Sequence, residues 1–210
     1  MTVTFPADAF QFFADLGDEN TKEFFQENRE RFEESVKAPM AEIIERLSST
    51  YGAFKLFRMN RDVRFSKDKS PYKLQQGAVT REDGRRYFYI DANGLLVATG
   101  AWQSDGAQLK RYREAIADET SGKKAVQIMN RLLSKDFEVS GGLDKPLASA
   151  PRGYPKDHPR IELLRWKGFM AVKRMSAADV VEDPALHKAI AKIYRDAKPL
   201  TEWCEAHLTA

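Results

Sequence analysis

Residues 58–73, reading RMNRDVRFSKDKSPYK, place six Lys or Arg and two Asp in sixteen positions. The other 194 residues hold 28 Lys or Arg against 29 Asp or Glu, so the chain's whole positive excess of +3 lies in this one stretch. Arg58, Arg61, Arg64, Lys67, Lys69 and Lys73 are therefore candidate ligands for an anion, because guanidinium and ammonium groups recognise carboxylate and phosphate oxygens by charge-assisted hydrogen bonds. Asp62 and Asp68 lie among them as candidate acid–base groups. A second cationic concentration follows about ninety residues later, with Arg152, Lys156, His158, Arg160 and Lys167 in a Pro- and Gly-rich segment. Arg152 and Lys167 join the ligand-binding candidates. His158, beside Asp157, is a candidate general acid or base, since imidazole titrates near neutral pH. The residue types point to one cleft shared by Arg58, Arg64 and Lys67 with Arg152, His158 or Lys167.

An extended backbone alternates its side chains between two faces. In residues 56–66 that rule puts Phe57, Met59, Val63 and Phe65 on an apolar face, and Arg58, Asn60, Asp62, Arg64 and Ser66 on a polar one. Arg61 falls on the apolar side, which requires either an ion-pair partner or a bulge. Pro71 has no N–H and restricts Ser70 to extended geometry, so residues 67–73 read as a structured loop. Lys, Ser and backbone N–H groups beside an Arg-bearing strand could form an oxyanion cradle. The same charges could instead form an ion-pair network that only ties the strand down.

The elements that must position these groups follow from periodicity. Residues 5–17 carry Phe10, Phe13 and Leu16 at helical spacing. A second helix is expected to start on the Asn20 and Glu23 capping pair, with Phe24, Asn28, Phe32, Ser35 and Val36 in one stripe, and to end near Lys37. Pro39 opens a third, burying Met40, Ile43, Ile44 and Leu47, with Gly52 after its end. Short β-type runs follow at 74–80, 86–91 and 95–102, joined by Gly-containing turns as an antiparallel meander. Tyr87 and Tyr89 share a face opposite Phe88 and Ile90, either packing across strands or lining a cleft.

Helices are expected at 109–118, with Leu109, Tyr112 and Ile116 in one stripe, and at 123–133, with Val126, Met129 and Leu133 in the next. Lys110, Arg111 and Arg113 read as a solvated face. Residues 139–159 read as a long ordered loop. A short helix at 161–167, a strand at 169–174, a helix start at Ser176 and Asp179, a helix over 184–197 and a last helix near Pro199 complete the chain. The fold class is α+β: an antiparallel sheet from 56–66, 74–80, 86–91, 95–102 and 169–174, covered by N- and C-terminal helices in a single domain of 210 residues.

Composition and motifs narrow the chemistry. The N-terminus lacks a basic region followed by an apolar one, and no apolar run reaches membrane-span length, so a cytoplasmic protein without a membrane partner is expected. Cys204, the only cysteine, excludes an intrachain disulfide and reads as a packing residue. His158, His187 and His207 lie too far apart for a zinc-binding spacing, so no metal site is expected. No Gly-rich phosphate loop and no Gly-x-Ser-x-Gly elbow is present, and no motif names a cofactor.

Several stretches together resemble the domain-of-unknown-function 2461 family of conserved hypothetical proteins. They are Phe12 to Leu16, Phe24 to Asn28, Pro39-Met40, the run from Phe57 to Lys73, Pro151 to Tyr154 with His158-Pro159, Leu163 to Lys167, and Pro199 to Trp203. The pattern departs mildly at Lys22 to Phe25, where an arginine-glutamate-tryptophan-phenylalanine run is expected. The resemblance covers nearly the whole chain and implies one full-length domain, with function left open.

The favoured reading is a small-anion binding protein, with binding and catalysis both open. A nucleic-acid module, drawing on Phe57, Phe65 and Tyr72 among the cations, and an interaction domain with a structural charge network are the alternatives. The residues do not set an oligomeric state. One local patch reaches few phosphates, so any nucleic-acid binding is expected to show a log–log salt slope of about −2 to −3. A slope of about −6 or steeper in a fluorescence titration would favour the nucleic-acid module instead.

Overall fold

The computed structural model describes residues 3–64, 67–82, 85–102 and 106–208. The chain begins with helix α1, Ala7–Asp18, which buries Phe10, Phe12, Phe13 and Leu16. Helix α2, Lys22–Glu27, is capped by Thr21, whose hydroxyl accepts from Phe24 N. The cap is thus one residue later than the Asn20 and Glu23 pair suggests, because Asn20 is engaged elsewhere. Helix α3, Arg29–Phe32, runs through a π-helical turn, Glu33–Lys37, directly into α4, Ala38–Tyr51. The boundary expected near Lys37 is a change of helix type and not a break, with Pro39 in the first turn of α4. Pro39 lacks the N–H that a regular α-helix would aim at the Ser35 carbonyl, and the backbone widens by one π turn, with Ala38 N donating to Glu33 O. Met40, Ile43 and Leu47 are buried, Ile44 only half so.

The strands are β1 Phe54–Leu56, β2 Gln75–Thr80, β3 Arg86–Asp91 and β4 Gly94–Ala101. Helices α5 Gly106–Ala117 and α6 Glu119–Leu133 follow, then β5 Glu138–Ser140, α7 Ile161–Leu164, β6 Phe169–Ser176, α8 Ala177–Glu182, α9 Leu186–Asp196 and α10 Lys198–Leu208. The described strands form a six-stranded antiparallel sheet in the order β1-β2-β3-β4-β6-β5, and the class is α+β. β5 overlaps the start of the segment expected to be all loop. Three residues, with only Val139 strongly apolar, are too short to show an alternation.

Two compact units divide the chain, one of Met1–Val97 and Arg174–Lys192, the other of Ala98–Lys173 and Ile193–Ala210. In the first, Phe12 contacts Phe13, Phe24, Phe25 and Phe32 at centroid separations of 5.4 to 6.3 Å. Arg31 ties α3 to α1 by bonding Asp8 and Asp15, each at 2.8 Å. Its guanidinium holds the Asp8 carboxyl below the usual carboxylate range. In the second, Trp203 stands edge-on to Tyr112 and Phe169 and donates its Nε1–H to Ser121 O at 3.0 Å. Cys204 is fully buried beside it, as a packing residue should be. The buried stripe of α6 is Ala125, Ile128 and Leu132, with Leu133 49% exposed. The expected stripe of Val126, Met129 and Leu133 is displaced by one position, because α6 starts at Glu119 on an Asp118 cap and small Ala125 faces inward.

The chain enters β4 through Gly94, at φ 134°, where a Cβ would stand 2.2 Å from Met175 O. Only glycine takes this conformation beside a neighbouring backbone. Gly94→Ala is expected to lower unfolding free energy by about 2 kcal/mol or more, read from the urea midpoint.

Candidate functional site

The cationic stretch does not form the continuous strand expected over 56–66. After Leu56 the regular ladder stops, and Phe65 and Ser66 lie outside the described residues. Leu56 pairs with Ala78, whereas Asn60 bridges Tyr72, so four steps on one side face six on the other. The two extra residues bulge the partner chain and break the ladder. The remaining backbone bonds are Phe57 N to Gly77 O, Lys73 N to Met59 O and Arg61 N to Pro71 O, at 2.8 to 2.9 Å. Pro71 cannot donate, yet its carbonyl still accepts.

Two side-chain amides complete this irregular ladder. Asn20 accepts from Tyr72 N and donates to Tyr72 O, both at 3.1 Å. Gln76, 2% exposed, donates to Phe57 O at 2.8 Å. Tyr72 is buried and stacked on Phe25 with centroids 4.2 Å apart. The burial alternation is retained without the strand: Met59 is buried, Phe57 and Val63 are half-buried, and Arg58, Asn60, Asp62 and Arg64 are exposed.

A groove of about 640 Å³ opens on this backbone, lined by Lys55, Leu56, Phe57, Arg58, Asn60, Arg61, Asp62, Arg64 and Lys73. Arg58, Arg61, Arg64 and Lys73 thus share one concavity with Asp62. Two of the cations carry their own counter-ions. Arg61 pairs with Asp68, which meets the requirement its apolar position imposed. Arg64 makes a forked contact to Asp62 at 2.9 and 2.7 Å, with both side chains mostly exposed. Arg64 holds the Asp62 carboxyl below its usual range. Asp68 is held low by the Ser70 hydroxyl and N–H and then by Arg61. Both carboxyls are therefore ionised acceptors with no proton to donate at neutral pH.

Lys73 is different. Its ammonium donates to Arg58 O at 2.8 Å and lies 5.6 Å from the Phe57 ring centroid. Burial, followed by repulsion from Arg58 and Arg61, pushes its pKa below the ordinary lysine value. Among the described residues, no carboxylate lies within ion-pair reach of Lys55, Arg58 or Lys73. Outside the lining, Lys67 is exposed and Lys69 donates to Val63 O at 2.9 Å.

Arg152, His158 and Lys167 belong to the second unit, whereas Arg58, Arg64 and Lys67 belong to the first. Arg152 is exposed and lines a groove with Lys110, Arg113 and Tyr154. The His158 Nδ1 accepts from Arg160 N at 3.0 Å, which leaves the proton of the neutral ring on Nε2. Lys167 faces Asp144 at 3.5 Å.

Arg160 is a buried helix cap. It donates to the carbonyls of Ile116 and Ala117 at 2.6 and 2.8 Å, and to Glu119 at 3.2 Å. The end of α5 leaves carbonyls without partners, and a guanidinium fork satisfies several at once. Tyr87 and Tyr89 lie opposite buried Phe88 and Ile90, and Tyr87 accepts from Gln75 at 3.0 Å. Burial raises the Tyr87 phenol above its ordinary value, and its ring packs 5.7 Å from that of Tyr89 and 6.0 Å from that of Phe57.

Sequence reasoning missed Lys55, Asn20 and Gln76. Lys55 precedes the basic run and breaks its alternation, and the two amides contact residues remote in sequence. It also placed Arg111 and Arg113 on a solvated face, whereas both are half-buried and the Arg111 guanidinium donates to Leu208 O at 3.0 Å. Among the described residues no cluster of His, Cys, Asp and Glu could hold a metal, and no helix is long and apolar enough to cross a membrane.

The fold and the groove belong to a small α+β protein with a cation-lined concavity. Residues 8–203 match the family described as conserved hypothetical protein (DUF2461), and the chain belongs to that family. No curated protein matches the chain.

The Asn20 amide is what holds Tyr72, which bridges Asn60 of the groove lining, in place. Asn20→Ala is expected to lower unfolding free energy by about 1–3 kcal/mol in urea denaturation, by leaving the Tyr72 backbone groups unpaired. Asn20→Asp, which keeps the acceptor and loses the donor, should fall between the two.

Proposed function

We propose that the groove of the first unit binds a small anion bearing a phosphate or carboxylate group. The observation that supports this reading is that Lys55, Arg58 and Lys73 line one concavity without a carboxylate partner among the described residues. Half-buried Lys73, held beside Arg58 and Arg61, raises the free energy of the empty site, and an oxyanion entering the groove offsets that penalty. Arg58 offers a free planar fork, Lys73 a half-buried point charge, and Asn60 an amide at the rim.

The charges divide into two roles. Arg61 and Arg64 pair with Asp68 and Asp62 and shape the loop, so the structural network expected as an alternative accounts for these two. The uncompensated Lys55, Arg58 and Lys73 are left for the ligand. A single-stranded nucleic acid would need stacking platforms. Tyr72 is buried against Phe25, Phe57 is half-buried beneath Lys73, and Phe65 lies outside the described residues.

A thermal-shift and calorimetric screen of phosphate, sulfate, nucleotides, sugar phosphates and oligonucleotides is the direct test. Arg58→Ala is expected to weaken phosphate binding about tenfold to a hundredfold, and Arg58→Lys to recover little of it, because the fork is lost. Equal phosphate affinity in the wild type and Arg58→Ala would refute the site.

The lysine supplies a second readout. Its folded-state pKa lies below the unfolded value, so the protonated form disfavours folding, and this penalty is relieved as pH rises through the folded pKa towards 10.5. Bound anion should move the Lys73 titration upward, as followed by the ¹³Cε NMR shift. Arg58→Ala should also move it upward, while shifting the further response to correspondingly higher phosphate concentration.

A further inference from the structure

We infer that the second unit holds an oxyanion site of its own, formed by Arg113 on α5 with Arg152 and Tyr154 of the following loop. These three residues line a groove of about 390 Å³ together with Leu109, Lys110 and Glu114. The chemical class is a small ligand carrying a phosphate or carboxylate group. This inference goes beyond the proposed function, since it concerns different residues and can stand or fall independently.

Among the described residues, both guanidinium groups lack an acceptor. Arg113 is half-buried, its Nε is shielded from solvent, and its guanidinium donates to no group among the described residues. Shielding even one guanidinium donor from water without giving it an acceptor is costly, and buried polar groups are ordinarily paired. Arg160, on the same side of the sequence, shows the ordinary outcome, with its donors spent on the carbonyls at the end of α5. Arg152 is exposed and likewise has no carboxylate within ion-pair reach among the described residues.

The carboxylate in the lining does not neutralise them. Glu114 faces Lys110 at 3.9 Å and is mostly exposed. Three cations against one acid leave the groove positive. Its walls also suit a ligand. Gly153, at φ 90°, has open space where a side chain would stand, so the backbone beside Arg152 leaves room for a bound group. Tyr154 adds a phenol that can donate to an oxygen. Burial and then Glu114 push that phenol above its ordinary value, which keeps its proton in place at neutral pH.

The pattern was partly visible along α5, where Leu109, Lys110 and Arg113 recur at helical spacing on one face. Arg152 and Tyr154 come from a segment some forty residues away and could not be assigned to that face from periodicity.

The test uses the full-length chain carrying Arg58→Ala, so that binding in the first groove is suppressed, with inorganic phosphate and citrate as separate probes. The Nε–Hε resonance of Arg113 reports the site residue by residue. Both or one of the probes should shift that resonance saturably, phosphate alone indicating a phosphoryl preference and citrate alone a carboxylate preference. Arg152→Gln, an exposed position whose substitution leaves the fold intact, should weaken the response about tenfold, as expected for one lost charge-assisted bond. Tyr154→Phe should weaken it by a smaller factor. No shift with either probe up to about 10 mM, well above a millimolar dissociation constant, overturns the inference. A shift that Arg152→Gln leaves unchanged also overturns it, because it would report diffuse screening of the charge.

Discussion

The backbone hydrogen bonds of residues 57–61 are the constraint on which the cationic groove depends. Once β1 ends, this segment can neither continue a regular ladder nor leave its N–H and C=O groups unpaired where they are buried. The chain solves this with mixed partners: the carbonyls of Gly77 and Pro71, the N–H and ammonium of Lys73, and the amide of Gln76. Each bond fixes one residue of an irregular hairpin. Side chains therefore keep their alternate directions although the strand has ended, with Met59 inward and Arg58 and Asn60 outward.

The same constraint explains why so many cations can share one short stretch. Lys69 and Lys73 spend hydrogen bonds on the carbonyls of Val63 and Arg58, and Asp68 both turns the loop at Ser70 and meets Arg61. The loop is thus knitted together by its own charges. Exposed pairs of this kind contribute little to stability. Their effect is to orient: with Arg61 and Arg64 committed to nearby carboxylates, the uncompensated charge is concentrated on Lys55, Arg58 and Lys73.

In the second unit a comparable division separates Arg160 from Arg113 and Arg152. Gly122 makes the first role possible, because a Cβ there would stand 2.2 Å from Ile116 O and 2.5 Å from the Arg160 Nε. A glycine inside a helix is ordinarily destabilising. Here its missing side chain is the space through which a buried guanidinium reaches the end of α5. The cation count of this segment therefore overstates the charge available to a ligand, since one of its arginines is a structural cap.

Much of the architecture was legible in the chain itself. The β3 run of Arg86–Asp91, the capping box at Ser176 and Asp179, and the long apolar stripes of α1 and α4 follow from period and cap chemistry, which act within a few residues. The charge excess of residues 58–73 and the need of Arg61 for a partner were equally local facts. Tertiary structure decided the rest. The end of β1 at Leu56 depends on two extra residues in the opposing chain, the removal of Tyr72 from the surface depends on Phe25 and Asn20, and the burial of Arg160 depends on a glycine thirty-eight positions earlier. Which cation meets a carboxylate is decided by the folded loop, since Arg64 and Asp62, and Arg61 and Asp68, are brought into contact only by its irregular backbone. Local composition supplies the charges, and only the folded chain determines which of them are neutralised.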